Sequence, residues 1–117
     1  MRFIKKKDCY LDIETGLEWS LWNYGPMTWH NALEFCVNLE GTWGLPSIQE
    51  LLTLVDYEKI TLTTCLPDMK ATYYWSSTTD AYSTNYAWFV NFNHGYGHRY
   101  DDKNHNYYVR AVRGGRD

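Results

Sequence analysis

Residues 72–113 set the terms for everything else in this chain. They hold most of its tyrosines, three of its four histidines (His94, His98, His105) and most of its asparagines, interleaved with Gly, Ser, Thr and Asp. Such residues are poor core formers. Tyr offers a large amphipathic surface at low entropy cost, and Ser, Gly and Asn supply adaptable hydrogen bonds, as in an antibody paratope. The stretch reads as a binding surface, so the rest of the chain has to supply a fixed scaffold.

The remaining sequence has the punctuation of a scaffold. Residues 9–22 read as a hairpin, with Glu14-Thr15-Gly16 as the turn between two short apolar runs. After a loop at residues 23–26, Trp29, Ala32, Leu33, Cys36, Val37 and Leu39 recur at helical spacing, with Thr28 as N-cap and Gly41 as stop signal. Ser47-Ile48-Gln49-Glu50 follows Pro46 and matches a capping box, which predicts a second helix over about residues 48–56. Residues 57–70 show no period and read as an irregular loop. Strands are expected at 73–78, 86–93 and 107–112. Within the second, Trp88, Val90 and Phe92 share one face while Ala87, Phe89, Asn91 and Asn93 share the other. Glycine at 95 and 97 marks a turn, residues 101–106 a loop, and the Lys5-Lys6-Lys7 run a solvated end. Hairpin, helix, helix and several antiparallel strands make an α+β domain, with the termini expected on adjacent strands.

At 117 residues the chain is one domain, 1–117, with a core of its own. The core is expected to contain Trp75, Trp88, Val90, Phe92, Val109 and Val112, joined by Trp19, Trp22, Trp29 and Trp43. A net charge of −3 and a pI near 5.7 provide no basic field for phosphates, which excludes nucleic acid as a natural partner. No apolar run has the length of a membrane span, and the basic start lacks the apolar segment of a signal peptide, so neither insertion nor a leader is expected and the localisation stays open. Cys9, Cys36 and Cys65 have neither the even count of a disulfide framework nor a metal spacing. They read as mostly buried thiols, with a Cys36–Cys65 bridge as the alternative for a protein outside the cell.

The landmarks together resemble a known family. Residues 12–19 (Asp-Ile-Glu-Thr-Gly-Leu-Glu-Trp), then Trp29-His30-Asn31-Ala32 with Cys36 and Leu39, then residues 43–51 (Trp-Gly-Leu-Pro-Ser-Ile-Gln-Glu-Leu), Trp75-Ser76-Ser77-Thr78, Ala87-Trp88-Phe89-Val90 and residues 109–113 (Val-Arg-Ala-Val-Arg) look like the C-type lectin-like domain of the bacterial collagen-like-protein C-terminal type. That domain is related in fold to the formylglycine-generating enzyme. The resemblance covers residues 12–115 and implies a C-type lectin-like fold with two helices packed on antiparallel strands. It implies no activity. The catalytic cysteine pair of the formylglycine-generating relatives has no counterpart after Cys65, and the calcium-dependent sugar signature of animal C-type lectins is absent, so neither a metal nor a cofactor is expected. Gly44 stands where the family usually has arginine.

A narrower resemblance lies in the crowded stretch. Variable proteins of diversity-generating retroelements, such as the phage major tropism determinant, use this fold to display a hypervariable C-terminal surface. Their mutagenic copying replaces adenines, so codons of the form adenine-adenine-pyrimidine reach many residues but never Trp, Met, Lys, Glu or Gln. Over residues 78–108 only Trp88 and Lys103 fall outside the reachable set, where about six would be expected from ordinary composition. The expected variable surface is therefore residues 79–108 on a scaffold of residues 1–78 and the core strands. Its ligand-contacting candidates are Asp80, Tyr82, Asn85, Tyr86, Phe89, Asn91, Asn93, His94, Tyr96, His98, Arg99, Tyr100, Asp101, Asn104, His105 and Tyr107.

Chemistry other than binding has little to work with. His94 and His98 with Asp101 and Asp102 have a metal-like composition, but Gly95 and Gly97 break the helical spacing that would align the imidazoles. Cys36 lies on an apolar helix face, where thiols are inert. The expected function is non-catalytic binding of a macromolecular ligand, a protein or a cell-surface glycan, by a retroelement-diversified surface. The alternative is an undiversified lectin-like module stacking Tyr, Phe and Trp on sugars.

Overall fold

The computed structural model describes residues 2–59, 62–93 and 96–114, and for residues 96–101 the backbone alone. The expected hairpin forms around Gly16, whose φ of +80° is the left-handed conformation that glycine tolerates. Its strands belong to a four-stranded antiparallel sheet: β1 (Phe3–Lys5), β2 (Cys9–Asp12), β3 (Glu18–Ser20) and β9 (Val112–Arg113), in that order. Asp12 ends β2 fully buried, its carboxylate taking hydrogen bonds from the Glu14 amide at 3.0 Å and the Thr15 hydroxyl at 3.0 Å. Arg2 closes the same carboxylate bidentately at 3.0 and 2.8 Å and donates to the Thr53 carbonyl at 2.7 Å. Lys5, Lys6 and Lys7 are exposed as expected, with Lys5 ending the edge strand that the buried Phe3 anchors. One expectation fails here. The terminal strands β1 and β9 share the sheet but sit at its opposite edges.

Helix α1 (Trp29–Val37) follows β4 (Tyr24–Met27), a strand formed where a loop was expected. Thr28 is the N-cap in backbone geometry, yet its hydroxyl makes no cap hydrogen bond. Trp29, Ala32 and Cys36 are the buried stripe. The helix stops at Asn38, before Gly41. Helix α2 (Ile48–Leu52) opens on the capping box that the sequence announces: Ser47 accepts from the Glu50 amide at 3.1 Å while Glu50 accepts from the Ser47 amide at 2.9 Å. It ends sooner than expected, but the turns beyond it still bury Leu54 and Val55.

The second sheet has the order β4-β8-β5-β6-β7, with β5 (Tyr73–Thr79), β6 (Tyr86–Asn91), β7 (Tyr96–Asp102) and β8 (Tyr107–Val109). Its neighbours are antiparallel except β5 and β8, which run parallel through Tyr74 and Tyr108. The single final strand expected at 107–112 is split into β8 and β9 at Arg110 and Ala111. Arg110 is fully buried and donates to the carbonyls of Ser20 (2.7 Å), Pro67 (3.0 Å) and Leu21 (3.3 Å) and to Asn23 Oδ1 (3.2 Å). Five planar donors suit such a convergence of oxygens. Tyr74 adds its hydroxyl to Asn23 Oδ1 at 2.8 Å, so one knot ties the strand break to two loops.

The chain buries two apolar clusters, and β6 lies between them. Val90 and Phe92 join Trp19, Tyr74, Leu51, Leu54 and Val112, together with Leu66 and Met69 from the irregular 57–70 loop. Ala87 and Phe89 join Trp29, Ala32, Cys36, Trp75 and Val109. The face of β6 expected to be polar thus carries Ala87 and Phe89 into the cluster to which α1 contributes. Trp88 belongs to neither cluster and is half-buried, a correction to its expected core role: it follows Val90 and Phe92 by alternation but lies toward the 80–85 loop, where the β6–β7 register shifts. Trp22, also expected inside, is 65% exposed. Trp43 is half-buried under Arg113, 4.2 Å from its ring. All three cysteines are free; Cys9 and Cys36 are buried as expected, while Cys65 is exposed, and no Cys36–Cys65 bridge forms.

Candidate functional site

Two loops at one end of β6 meet over the N-terminus of α1. In the first, residues 80–85, the Asp80 amide donates to the Tyr86 carbonyl at 2.9 Å and the Tyr86 amide to the Ser83 carbonyl at 3.0 Å. Asp80 is folded under its own loop, its carboxylate facing the Tyr82 amide at 3.3 Å, and Tyr82 stands at the tip, 99% exposed. In the second, residues 102–106, Asp102 accepts from the Asn104 amide at 2.9 Å through its side chain and from the His105 amide at 3.0 Å through its carbonyl. This is the local turn chemistry of Asp.

Lys103 binds the loops to each other and to the helix. Its amide donates to the Asn85 carbonyl at 3.0 Å, and its own carbonyl accepts the Trp29 amide at 3.0 Å. Its ammonium donates to the Thr84 carbonyl at 2.7 Å and the Thr79 hydroxyl at 3.1 Å, lying 3.8 Å from the Trp29 ring centroid. Burial pushes the Lys103 pKa down. The result is an open polar cleft of about 690 Å³ lined by His30, Thr84, Asn85, Tyr86, Asp102, Lys103 and Asn104. It offers amide and hydroxyl groups together with the charged Asp102 and Lys103, and the exposed Tyr82 stands on the neighbouring loop, an arrangement for recognition by hydrogen bonds and stacking. Among the described residues no group of three or more His, Cys, Asp or Glu is placed to hold a metal ion. The Cys36 thiol is pushed up to about 12 by burial, so it is protonated at neutral pH.

The expected contact residues divide by position. Tyr82, Asn85, Tyr86, Asn104 and His105 lie on or beside the cleft, His105 with Nδ1 3.5 Å from the Tyr107 hydroxyl. Tyr107 is half-buried, its ring 4.6 Å from Trp75 and 5.1 Å from both Phe89 and the partly exposed Tyr73, so a ladder of rings runs from core to surface. Phe89, Asp80 and Asn91 are buried and are not contact residues in this structure. Phe89 packs between the Tyr73 and Tyr107 rings, Asp80 lies under its own loop, and Asn91 is occupied in accepting the Asn93 amide at 2.9 Å. Asn93 lies with Asn91 at the far end of β6. His94 lies outside the described residues, as do the side chains of Tyr96, His98, Arg99, Tyr100 and Asp101. Composition could not point to His30, which enters the cleft from α1, nor to Lys103, whose type the codon argument sets aside. Thr84 and Asp102, which also line the cleft, are of reachable types and lie outside the expected contact set.

Two helices packed on twisted antiparallel strands, with a loop-built face at one end, define a C-type lectin-like domain, a lectin-like module for binding ligands. The chain belongs to the Lcl C-terminal domain family, whose model matches residues 8–113, a C-type lectin-like domain of the type used by retroelement-diversified variable proteins. No curated protein and no solved structure matches it. The described helices include none long and apolar enough to cross a membrane.

Proposed function

We propose that this domain is a non-catalytic display protein whose surface over residues 79–108 is diversified by a retroelement and selected for binding a macromolecular ligand. The observation that carries the reading is Lys103. It is one of the two residues in the window that adenine-adenine-pyrimidine codons cannot yield under such copying, and it is the post on which both loops hang. The other, Trp88, is half-buried in β6, and its carbonyl accepts the Ser76 hydroxyl at 2.7 Å. Around these two, Tyr82, Asn85, Asn104 and His105 are exposed and are all of reachable types. Rigid aromatics would supply most of the affinity and polar neighbours would adjust specificity.

The test is the gene's neighbourhood. A near-identical, adenine-rich template should lie beside a reverse transcriptase gene, and codons at Tyr82, Asn85, Asn104 and His105 should align with adenine-adenine-pyrimidine codons in it while those of Trp88 and Lys103 do not. A locus with neither template nor reverse transcriptase removes the diversification reading. A glycan array then checks the undiversified lectin alternative.

A further inference from the structure

The polar cleft has one wall that its loops do not supply. Its lining comes from residues 84–86 and 102–104 except for His30, which stands on the first turn of α1. His30 is therefore outside the candidate variable surface, yet it lies where the two varied loops meet. Its neighbour fixes its place. The Trp29 amide donates to the Lys103 carbonyl at 3.0 Å and its indole N–H to the Ser76 carbonyl at 2.9 Å, and the His30 ring packs edge-on to that indole at 5.1 Å and 82°. His30 is nevertheless exposed, and its ring nitrogens have no hydrogen-bond partner among the described residues. Asn85 and Asn104 resemble it. They tie the loops through backbone groups, the Asn85 carbonyl to the Lys103 amide and the Asn104 amide to Asp102, and their carboxamides make no hydrogen bond among the described residues.

We infer that His30 is a constant contact residue of the binding site: a protein ligand that engages both loops covers this imidazole and hydrogen-bonds it, whatever residues the loops carry. A ligand bridging the loops has to pass over the helix turn between them. Closing an interface over an unpaired polar group forfeits that group's hydration, so binders that leave His30 bare are at a disadvantage. A neutral imidazole offers one donor and one acceptor, and the backbone of any protein can meet either. Its packed ring has little freedom to lose on binding. The protruding Tyr82, 99% exposed on the loop that carries Asn85, completes the aromatic and carboxamide composition of a protein-binding paratope. The inference rests on the reading of residues 79–108 as a surface that varies on a fixed frame, and it divides recognition into a constant part and a varied one.

A display library of the full 117-residue chain, randomised at Tyr82, Asn85, Asn104 and His105 and panned against two unrelated folded proteins, lysozyme and streptavidin, tests it. Independent binders with different loop sequences then receive His30→Ala or His30→Phe, the second of which keeps a ring and removes both nitrogens. The expected result is a loss of about tenfold in affinity with either change in most clones against both probes. Melting curves should stay with each parent, because His30 is exposed. Clones that mostly keep their affinity overturn the inference. So do clones weakened by alanine but not by phenylalanine, which would make His30 a filler of space, and losses that follow a lowered melting midpoint, which would make it a support. A library that yields no binder removes the cleft as a binding site and this inference with it. A gene locus without template or reverse transcriptase removes the diversification reading alone, since the library supplies its own variation.

Discussion

The Lys103 ammonium lies 3.8 Å from the centroid of the Trp29 ring, joining the middle of the tyrosine-rich stretch to the first turn of α1. A lysine this buried has to recover its lost hydration locally, and here two oxygens and an aromatic face do so. Replacing it with methionine keeps the stem but strands the Thr84 carbonyl. Lys103→Met should lower stability by about 1 to 3 kcal/mol in denaturant titration. It should also speed hydrogen exchange at the Tyr86 amide, which the 80–85 loop protects; unchanged exchange there would mean that Lys103 does not hold the loop.

The Asp12 knot should govern acid stability. Burial pushes the Asp12 carboxyl up, but the hydrogen bonds from Arg2, the Glu14 amide and Thr15 outweigh it and hold the group below the usual carboxylate range. With a folded pKa below the unfolded one, the contribution is complete above about pH 4 and is lost as pH falls further. Asp12→Asn should cost about 3 kcal/mol at pH 7 by removing the buried carboxylate that Arg2 grips bidentately, leaving it Glu14 at 3.5 Å and the Thr53 carbonyl. The gap between variant and parent should narrow as pH falls below about 4, measured as the midpoint of urea unfolding.

At the alkaline end, buried neutral groups act in the opposite sense. Burial pushes both the Cys36 thiol and the Tyr74 hydroxyl up to about 12. Unfolded, they ionise near pH 9 and 10, so their contribution is complete below about pH 8.5 and is lost as pH rises toward 12. The lowered Lys103 pKa works against this loss and offsets part of it. Stability should fall by about 2 to 4 kcal/mol between pH 8 and 11, and Cys36→Ala should flatten the early part of the decline.

Two glycines should respond to alanine with opposite signs. A Cβ on Gly44 would meet nothing within 4 Å, and the residue's pairing with Val112 is entirely backbone. Gly44→Ala should therefore stabilise by about 0.4 to 1 kcal/mol, and Gly44→Arg, the residue usual in the family, should be accommodated. Gly25 has a φ of +96°, and its Cβ would come within 3.0 Å of the Met27 amide nitrogen and 3.2 Å of the Tyr107 carbonyl oxygen. Gly25→Ala should destabilise by more than about 1 kcal/mol. Thermal melts of the pair decide it.

The aromatic residues should separate by depth. Trp75, fully buried with its indole N–H on the Met27 carbonyl at 3.0 Å, should cost about 3 to 5 kcal/mol when cut to alanine. Half-buried Trp88 should cost about half of that. Tyr82→Ala should change stability by under about 0.5 kcal/mol. Equal losses at Trp75 and Trp88 would return Trp88 to the core.

Local signals read well where they were self-contained. The Gly16 hairpin, the Ser47–Glu50 capping box and the helical period of Trp29, Ala32 and Cys36 each involve neighbours in sequence, and each forms. What escaped depends on distant partners. Phe3 makes β1 only because β2 lies beside it, so its run of lysines hid a strand. Residues 57–70 have no period because they follow no regular element, yet Leu66 and Met69 close a core. Alternation along β6 separates Val90 from Ala87 and Phe89 but does not show that both faces are buried, nor that Trp88 stays outside the cluster of Val90. The cleft was half legible for the same reason: Asn85, Tyr86 and Asn104 came from composition, His30 from packing that composition does not encode.

That doubly covered strand sets a limit on variety. With Val90 and Phe92 in one core and Ala87 and Phe89 in the other, β6 leaves only Tyr86 and Trp88 partly open. A change at the closed positions disturbs two packings at once, and small domains have little stability to spare. Along β6 itself, therefore, substitutions that spare the fold are confined to Tyr86, Trp88 and the loop positions beyond the strand's ends.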